Sequence, residues 1–262
     1  MDKNVILKQN KVYLGDCLEI MKQIDDKSID MILCDLPYGT TARNKWDIII
    51  PFELLWKHYE RIIKDNGVIC LTAAEPFSAM MIVSNLKLFR YDLIWEKDNP
   101  VGFLNANRMP LRKHEKILMF YKKLPTYNPQ MSFGHKKMNI TYRDNVNMGS
   151  CYNSSKMENE KNHVYRQRTG ETSRYPTSVI KCNSVRGNSK ERSHPTQKPV
   201  ALFEYLIKTY TNEGDLVLDN CAGSGTTGVA CQNLNRNFIL IEKEQKYYDI
   251  IIKRLEENKK SV

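Results

Sequence analysis

A glycine-rich turn near the end of the chain constrains the fold more than any other feature of the sequence. Residues 216–220 predict a short buried strand and residues 226–234 predict a helix. Between them, Gly223 and Gly225 allow a ligand to approach the backbone closely, and the start of the helix presents unpaired N–H groups. The spacing also satisfies Gly-x-Gly-x-x-Gly, so a nicotinamide-binding Rossmann unit is one alternative.

The next predicted strand, 238–242, ends at Glu242, 17 residues beyond Gly225. A carboxylate there can accept hydrogen bonds from both hydroxyls of a ribose. The turn and this acid together fit a cofactor that contains adenosine. Only 37 residues, 226–262, follow Gly225, which is short for the remaining strands of a full dinucleotide-binding half. This length counts against the nicotinamide alternative.

Strand and helix patterns alternate along most of the chain. Further strands are predicted at 29–34, 68–72, 91–95 and 116–121, and further helices at 51–64, 76–86, 200–210 and 245–255. This alternation predicts an α/β fold, with a doubly wound, mainly parallel sheet that is covered by helices on both faces.

A polar region interrupts the alternation between about residues 122 and 194. It divides the chain into a first half of the domain (1–122), an inserted region (123–193) and a second half (194–262). Between Lys122 and Arg192 stand fourteen Lys and Arg against five acids, a net charge of +9 out of +10 for the whole chain. Six aromatic residues accompany them: Tyr127, Phe133, Tyr142, Tyr152, Tyr165 and Tyr175. We expect the insert to contact phosphates and bases, the alternative being a solvated loop.

Composition excludes several other classes of protein. No apolar run reaches the roughly 18 to 20 residues that cross a bilayer, and the first residues lack the apolar core of a signal peptide, which predicts a cytoplasmic protein and no membrane partner. The seven cysteines are scattered and never form Cys-x-x-Cys, which argues against a disulfide framework and a zinc site. We expect reduced thiols and no required metal.

Residues 35–38, Asp-Leu-Pro-Tyr, follow a predicted strand and carry the second candidate site. An exocyclic amine of a nucleobase is a poor nucleophile because its lone pair is delocalised into the ring. Asp35 and the carbonyl group of Leu36 or Pro37 can accept its two protons and stabilise the developing positive charge. Tyr38 can stack on a base that has left the helix. The alternative is a turn with a surface aspartate.

With these two motifs in this order, the chain resembles the β-class amino DNA methyltransferases. In that family a D-P-P-Y motif precedes a D-P-F-x-G-S-G-T motif, which here correspond to residues 35–38 and to Asp-Asn-Cys-Ala-Gly-Ser-Gly-Thr at 219–226. Residues 194–199, His-Pro-Thr-Gln-Lys-Pro, are similar to the segment near the methionine end of the cofactor. Residues 15–19 are similar to the segment near its adenine, and 113–120 to the strand that flanks the target pocket. The resemblance spans the chain except the insert.

The resemblance implies a class I methyltransferase fold in permuted order and a site-specific transfer of methyl from S-adenosyl-L-methionine to N6 of a flipped adenine in double-stranded DNA. Adenine is favoured because the cytosine enzymes of this class usually carry serine at the position of Asp35. Catalytic roles are implied for Asp35, Pro37 and Tyr38. Cofactor-binding roles are implied for Asp16, Gln197, Lys198, Asp219, Cys221, Gly223, Gly225, Thr226 and Glu242.

Several alternatives stay open beside this interpretation. They are N4-cytosine methylation, a nicotinamide oxidoreductase and a DNA-binding module without catalysis. The sequence also leaves open a homodimer and a cognate restriction endonuclease as partners.

Three residues depart from the family motifs. Leu36 replaces a proline, Asn220 replaces another proline, and Cys221 replaces a phenylalanine over the cofactor.

Overall fold

A computed structural model describes residues 7–40, 47–137, 171–185 and 197–260. The chain divides into two compact units, one made of Met1–Asn128 with Ser178–Val262 and the other of Pro129–Thr177. In the second unit, Ser132 and Arg174 form an antiparallel bridge through reciprocal backbone hydrogen bonds of 3.0 and 2.8 Å. Among the described residues, no helix is long and apolar enough to cross a membrane.

The described part of the first unit is built on one eight-stranded sheet. Its strands are β1 (Lys11–Leu14), β2 (Ile29–Cys34), β3 (Ile63–Ala73), β4 (Phe89–Val101), β5 (Arg112–Phe120), β6 (Val179–Lys181), β7 (Leu216–Asp219) and β8 (Asn237–Glu242). Their order across the sheet is β1-β8-β7-β2-β3-β5-β4-β6. Only β5 runs antiparallel to its neighbours, β3 and β4. The mainly parallel sheet expected from the sequence is therefore confirmed.

Helices cover both faces of this sheet. They are α1 (Cys17–Ile20), α2 (Phe52–Ile62), α3 (Phe77–Ser84), α4 (Val200–Tyr210), α5 (Thr226–Asn233) and α6 (Gln245–Lys259), with short 3-10 turns at Met21–Gln23 and Phe103–Asn105. The first three helices pack into one apolar core and the last three into another. The doubly wound arrangement is confirmed.

Strand β3 shows why both faces are apolar. Its residues alternate between the two cores, with Ile69 and Leu71 in the first and Val68 and Cys70 in the second. Because side chains along a strand point to opposite faces in turn, a strand buried on both sides reads as a continuous apolar run. Burial of these side chains on both faces, at about 25 cal/mol per Å² of apolar surface, is the main stabilising contribution to the fold.

Two strands were not indicated by the sequence pattern. Strand β1 is only four residues long and half exposed, so it shows no apolar run. Strand β6 lies within the range 123–193, yet it joins the main sheet by pairing Val179 with Ile94 of β4. The division of the chain at 123 and 193 stays a prediction.

The topology leaves a crevice between β2 and β7, which are neighbours at the centre of the sheet. From β2 the chain proceeds to β3 on one side, and from β7 it proceeds to β8 on the other. Connections that leave in opposite directions open a space at the carboxyl ends of the two strands. Asp35 follows β2 directly, and Asp219 is the last residue of β7.

Candidate active site

A cavity of about 1090 Å³ lies at the carboxyl ends of these strands. Eleven of the twelve residues singled out from the sequence line it: Asp16, Asp35, Pro37, Tyr38, Gln197, Lys198, Asp219, Cys221, Gly223, Thr226 and Glu242. Gly225 is not among the lining residues. Residues from both candidate motifs, which are more than 180 positions apart in the chain, therefore share one cavity.

The carboxylate of Asp35 is held at both of its oxygens. Strand β2 pairs Cys34 with Leu71 of β3, so the next residues, Asp35 and Thr72, stand side by side. The hydroxyl groups of Tyr38, at 2.7 Å, and of Thr72 both donate to Oδ1. The ammonium group of Lys198 donates to Oδ2 at 2.7 Å. Three donors thus fix the orientation of this side chain in advance of substrate binding.

Lys198 belongs to a buried chain of alternating charges. Its Nζ lies 2.7 Å from Asp35 and 3.4 Å from Oε2 of Glu115, whose other oxygen accepts from Lys97. The side chain of Lys198 is 7% exposed. Burial alone would lower its pKa, but the charges of Asp35 and Glu115 outweigh burial and raise the pKa. Lys198 is therefore held as a cation beside Asp35.

Glu115 responds to the same arrangement. Burial favours its neutral form, yet Lys198 and Lys97 together lower the pKa of its carboxyl group. Two cations and two anions balance one another, which makes burial of this cluster tolerable. Removing one member would leave an uncompensated charge in this cluster.

Tyr38 is anchored by its ring as well as its hydroxyl group. The ring stacks on Phe77 of α3 with centroids 4.9 Å apart. Burial and the neighbouring Asp35 raise the pKa of its hydroxyl group well above the ordinary value. The hydroxyl group stays protonated and acts as a donor to the carboxylate.

The two glycines of the glycine-rich turn have different roles. Gly223 has φ 55° and open space where a side chain would begin, so its backbone faces the cavity. Gly225 has φ 79°, and a Cβ atom there would lie 2.8 Å from Cγ2 of Ile251 in α6. Gly225 is thus required for close packing of the turn against α6, which explains why it does not line the cavity.

Two acids frame this turn. Glu242 accepts hydrogen bonds from the backbone N–H groups of Gly223, at 2.7 Å, and Glu244, at 2.9 Å. Asp219 accepts from the backbone of Cys221 at 3.1 Å and from the hydroxyl group of Thr227. Burial raises the pKa of Asp219 to about 6 and raises the pKa of Glu242 as well. The acids therefore shape the turn and also place carboxylate oxygens at the cavity.

The remaining predicted residues lie at the edge of the same site. Asp16 caps α1 by accepting from the N–H group of Leu18 at 2.9 Å, and its other oxygen lies 3.5 Å from Lys243. The hydroxyl group of Thr226 donates to the backbone oxygen of Lys198 at 3.3 Å. His194 lies outside the described residues, as do Tyr142, Tyr152, Tyr165 and Cys151.

Sequence reasoning did not identify Thr72, Lys97 or Glu115. All three lie on β3, β4 and β5, on the side of Asp35 away from the glycine-rich turn. The sequence does contain a signal for two of them, since Lys97 and Glu115 are charged residues close to otherwise apolar strand segments. The antiparallel pairing of β4 with β5, which brings the two together, cannot be deduced from the pattern.

Comparison with known proteins decides the family. A family model described as DNA methylase, for N6 and N4 enzymes, matches residues 29–253 and so includes both motifs of the cavity. The chain belongs to this DNA methylase family. The match decides against the nicotinamide alternative, and members of the family act on DNA.

Individual DNA methylases are similar over nearly the whole chain. The type II methyltransferase M.HinfI of Haemophilus influenzae is 30% identical, over 99% of this chain and 72% of its own length. The structure of M1.HpyAVI in complex with SAM is 26% identical, with a TM-score of 0.61 and coverage of 94% of this chain and 98% of that chain. PvuII DNA methyltransferase (cytosine-N4-specific) shares the fold at 15% identity, with a TM-score of 0.65 and coverage of 97% and 91%.

S-adenosyl-L-methionine is the cofactor of this DNA methylase. The cavity fits it chemically. Glu242 offers carboxylate oxygens for ribose hydroxyl groups, Gly223 leaves open space against its backbone, and the start of α5 adds N–H groups that lack helical partners. Acidic side chains at the cavity also suit a cofactor that carries a sulfonium cation.

Proposed function

We propose that this DNA methylase transfers a methyl group to N6 of an adenine that is flipped out of double-stranded DNA. The observation that carries the proposal is the position of Asp35. Its carboxylate is fixed by Thr72, Tyr38 and Lys198 in the same cavity as the glycine-rich turn. The carboxylate of Asp35, a hydrogen-bond acceptor, and the glycine-rich turn therefore face one space that is large enough for a cofactor and a base.

When bound, S-adenosyl-L-methionine supplies an electrophilic methyl group, so the task of the protein is positioning and electrostatics. We assign to the carboxylate of Asp35 the hydrogen bond from one proton of the target amine. A backbone carbonyl group of Leu36 or Pro37 accepts the hydrogen bond from the other proton. The amine nitrogen gains a positive charge as its bond to the methyl carbon forms, and both acceptors stabilise that charge. One amine proton then leaves through Asp35 or to water.

We assign Tyr38 as the platform on which the flipped base stacks. Packing on Phe77 and the bond to Asp35 hold its ring in place, so little conformational freedom is lost when a base arrives. On the other side of the cavity, we assign to Glu242 the role of hydrogen-bond acceptor for the ribose of the cofactor. Roles toward the rest of the cofactor are proposed for Asp16, Gln197, Lys198, Asp219, Cys221, Gly223 and Thr226.

The choice of adenine rests on the aspartate at position 35, since cytosine enzymes of the β class usually have serine there. Methylation of N4 of cytosine is the second candidate, because cytosine also offers an amine beside a ring nitrogen. Digestion of DNA treated with the protein and labelled S-adenosyl-L-methionine, followed by separation of nucleosides, tests the choice. We expect N6-methyladenine, and N4-methylcytosine without N6-methyladenine would overturn it.

Further parts of the proposal concern partners and location. We propose that the insert, residues 123–193, contacts the target DNA and that the protein acts in the cytoplasm. The location rests on the scattered cysteines, which never form Cys-x-x-Cys and suit a reducing compartment. A homodimer and a cognate restriction endonuclease remain candidate partners, which sedimentation and co-purification can test.

A further inference from the structure

The connection from β4 to β5 is a compact loop of defined shape. Val101 and Arg112 pair at its base, and Gly102, with φ 94°, turns the chain into a 3-10 helix at Phe103–Asn105. Backbone hydrogen bonds hold the turn, from Asn105 to Gly102 at 2.9 Å and from Arg108 to Asn105 at 2.8 Å. The tip of this loop, which we call the 103–104 tip, consists of Phe103 and Leu104.

The 103–104 tip presents large apolar side chains to solvent. Phe103 is 81% exposed and Leu104 is 98% exposed, and Met109 on the return of the loop is 58% exposed. Single exposed apolar residues are ordinary, but adjacent ones on a hydrogen-bonded turn mark a surface that a partner covers.

The surroundings of the tip indicate the chemistry of the partner. From Asn99 to Lys113 the chain carries three cations, Arg108, Arg112 and Lys113, and no acid, and within the described ranges Lys113 alone of the three pairs with an acid, Glu96 of β4, at 3.0 Å. Val101 and Arg112, at the base of the loop, line the cavity that holds Asp35. An apolar tip with a cationic base, at the rim of a cavity for a flipped base, suits duplex DNA beside the target nucleotide.

We propose that the 103–104 tip is a wedge that enters the base stack next to the target nucleotide and keeps the target base out of the helix. The proposal rests on the proposed function, in which the cavity receives a flipped base. Apolar side chains that enter between base steps replace lost stacking contacts, which shifts the equilibrium toward the extrahelical base. Arg108 contacts a flanking phosphate.

The test compares two duplexes that differ only opposite the target base. Both carry a sequence that the wild-type protein modifies, identified by sequencing DNA from cells that express it. One duplex has the normal partner base, and the other has an abasic position there, which removes the cost of unpairing. The variant is Phe103→Ala/Leu104→Ala, and its matched control is Val83→Ala/Leu86→Ala. The control residues are 70% and 64% exposed and do not line the cavity.

We expect the tip variant to methylate the paired duplex about tenfold more slowly in single turnover and to recover to nearly the wild-type rate on the abasic duplex. The control variant should match wild type on both, and calorimetry with S-adenosyl-L-methionine should show that all three proteins are folded. Equal rates for the tip variant and wild type on the paired duplex would overturn the wedge and leave the proposed function intact.

Two other outcomes would also overturn the wedge. A defect of the same size on both duplexes would assign the tip to general DNA contact. The same defect together with a change in sedimentation would assign it to an interface between two copies of the chain. If wild type transfers no methyl group to any DNA, the proposed function fails. The wedge, which rests on that function, then fails with it.

Discussion

At the scale of single residues, we expect substitutions in the two halves of the cavity to have opposite effects on methyl transfer and on cofactor affinity. Replacing Asp35 with Asn removes the anionic acceptor that we propose for the target amine but leaves the glycine-rich turn untouched. We expect methyl transfer to fall by about 10² to 10³, the usual loss for one preorganised electrostatic contact. Calorimetry should show unchanged affinity for S-adenosyl-L-methionine. Loss of cofactor affinity in parallel with activity would remove Asp35 from its proposed role.

Replacing Glu242 with Gln should have the reverse effect. In the proposed site the ribose would lose a charged acceptor, so the dissociation constant of the cofactor should rise about 10- to 100-fold, the equivalent of roughly 1.5–3 kcal/mol. The rate at saturating cofactor should change little. A variant with unchanged cofactor affinity would show that Glu242 only supports the backbone of Gly223 and Glu244.

The buried chain of alternating charges beside Asp35 predicts how the methylation rate depends on pH. Glu115 helps to raise the pKa of Lys198, so Glu115→Gln should lower that pKa. If the ammonium group of Lys198 is needed to hold Asp35, the fall in rate at alkaline pH should begin about one pH unit or more lower in the variant. Among the described residues, the other titratable groups facing Lys198 are Asp35 and Tyr38, and Lys97 lies on the far side of Glu115.

Glu75→Gln is the matched control for this prediction. Glu75 also pairs with a lysine of β5, Lys116, at 2.6 Å, but its side chain is exposed. The pH profile of single-turnover methylation by the Glu75→Gln variant should coincide with that of wild type. A Glu115→Gln profile that falls in overall rate but keeps its alkaline limb would mean that Glu115 is only structural.

At the scale of elements, the turn from β7 to α5 makes a prediction about stability. Gly225 and Gly214 have similar backbone conformations, with φ 79° and 84°, but a side chain at Gly225 would overlap Ile251 whereas Gly214 faces open space. Alanine at either position costs about 1–2 kcal/mol for the left-handed conformation. Gly225→Ala should lose roughly 1–3 kcal/mol more because of overpacking. Equal free energies of unfolding in urea for both variants would contradict the close packing of the turn against α6.

Several elements were predictable from sequence because local pattern and burial agree. The helix at 200–210 and the strands that end at Cys34 and Glu242 begin and end within a residue of their predicted bounds. Their apolar residues are continuous, and polar or turn residues interrupt them. The sequence alone therefore placed Asp35 and Glu242 at strand ends, and hence at one edge of the sheet.

Other elements could not be predicted because their position depends on distant partners. Strand β6 has three residues and is held by β4 and by a hydrogen bond from Trp95 to the carbonyl group of Cys182 at 2.8 Å. Lys198 was expected at the cofactor, on resemblance alone. Its ammonium group donates a hydrogen bond to Asp35, 163 positions away, and its backbone oxygen accepts one from Thr226 of the turn, so its role toward the cofactor stays a prediction. Such links are set by the topology, which the periodicity of a single segment does not contain.

At the scale of the whole molecule, the charge of the insert predicts how the protein binds DNA. Because β6 belongs to the main sheet, the appropriate exchange replaces Pro129–Thr177, the second compact unit, with a short Gly/Ser linker. This removes eight Lys and Arg and four acids. We expect weaker DNA binding and a shallower salt dependence, since each lost phosphate contact changes the log–log slope by about 0.9.

Cofactor binding should survive this exchange, because every residue that lines the cavity belongs to the first unit. Fluorescence anisotropy of a labelled duplex at several salt concentrations, with calorimetry for S-adenosyl-L-methionine, measures both properties. Unchanged DNA affinity and slope would mean that residues 129–177 are a solvated loop without a part in recognition.

We propose that Asp35 and the glycine-rich turn act together to methylate adenine in DNA. Modification-sensitive sequencing of DNA from cells that express wild type or Asp35→Asn tests it most directly, since one measurement reports the base, the site and the dependence on Asp35. We predict N6-methyladenine at one recurring sequence in the wild-type cells and its loss in the variant cells. Unmodified adenine in the wild-type cells, or equal modification in both, would contradict the account.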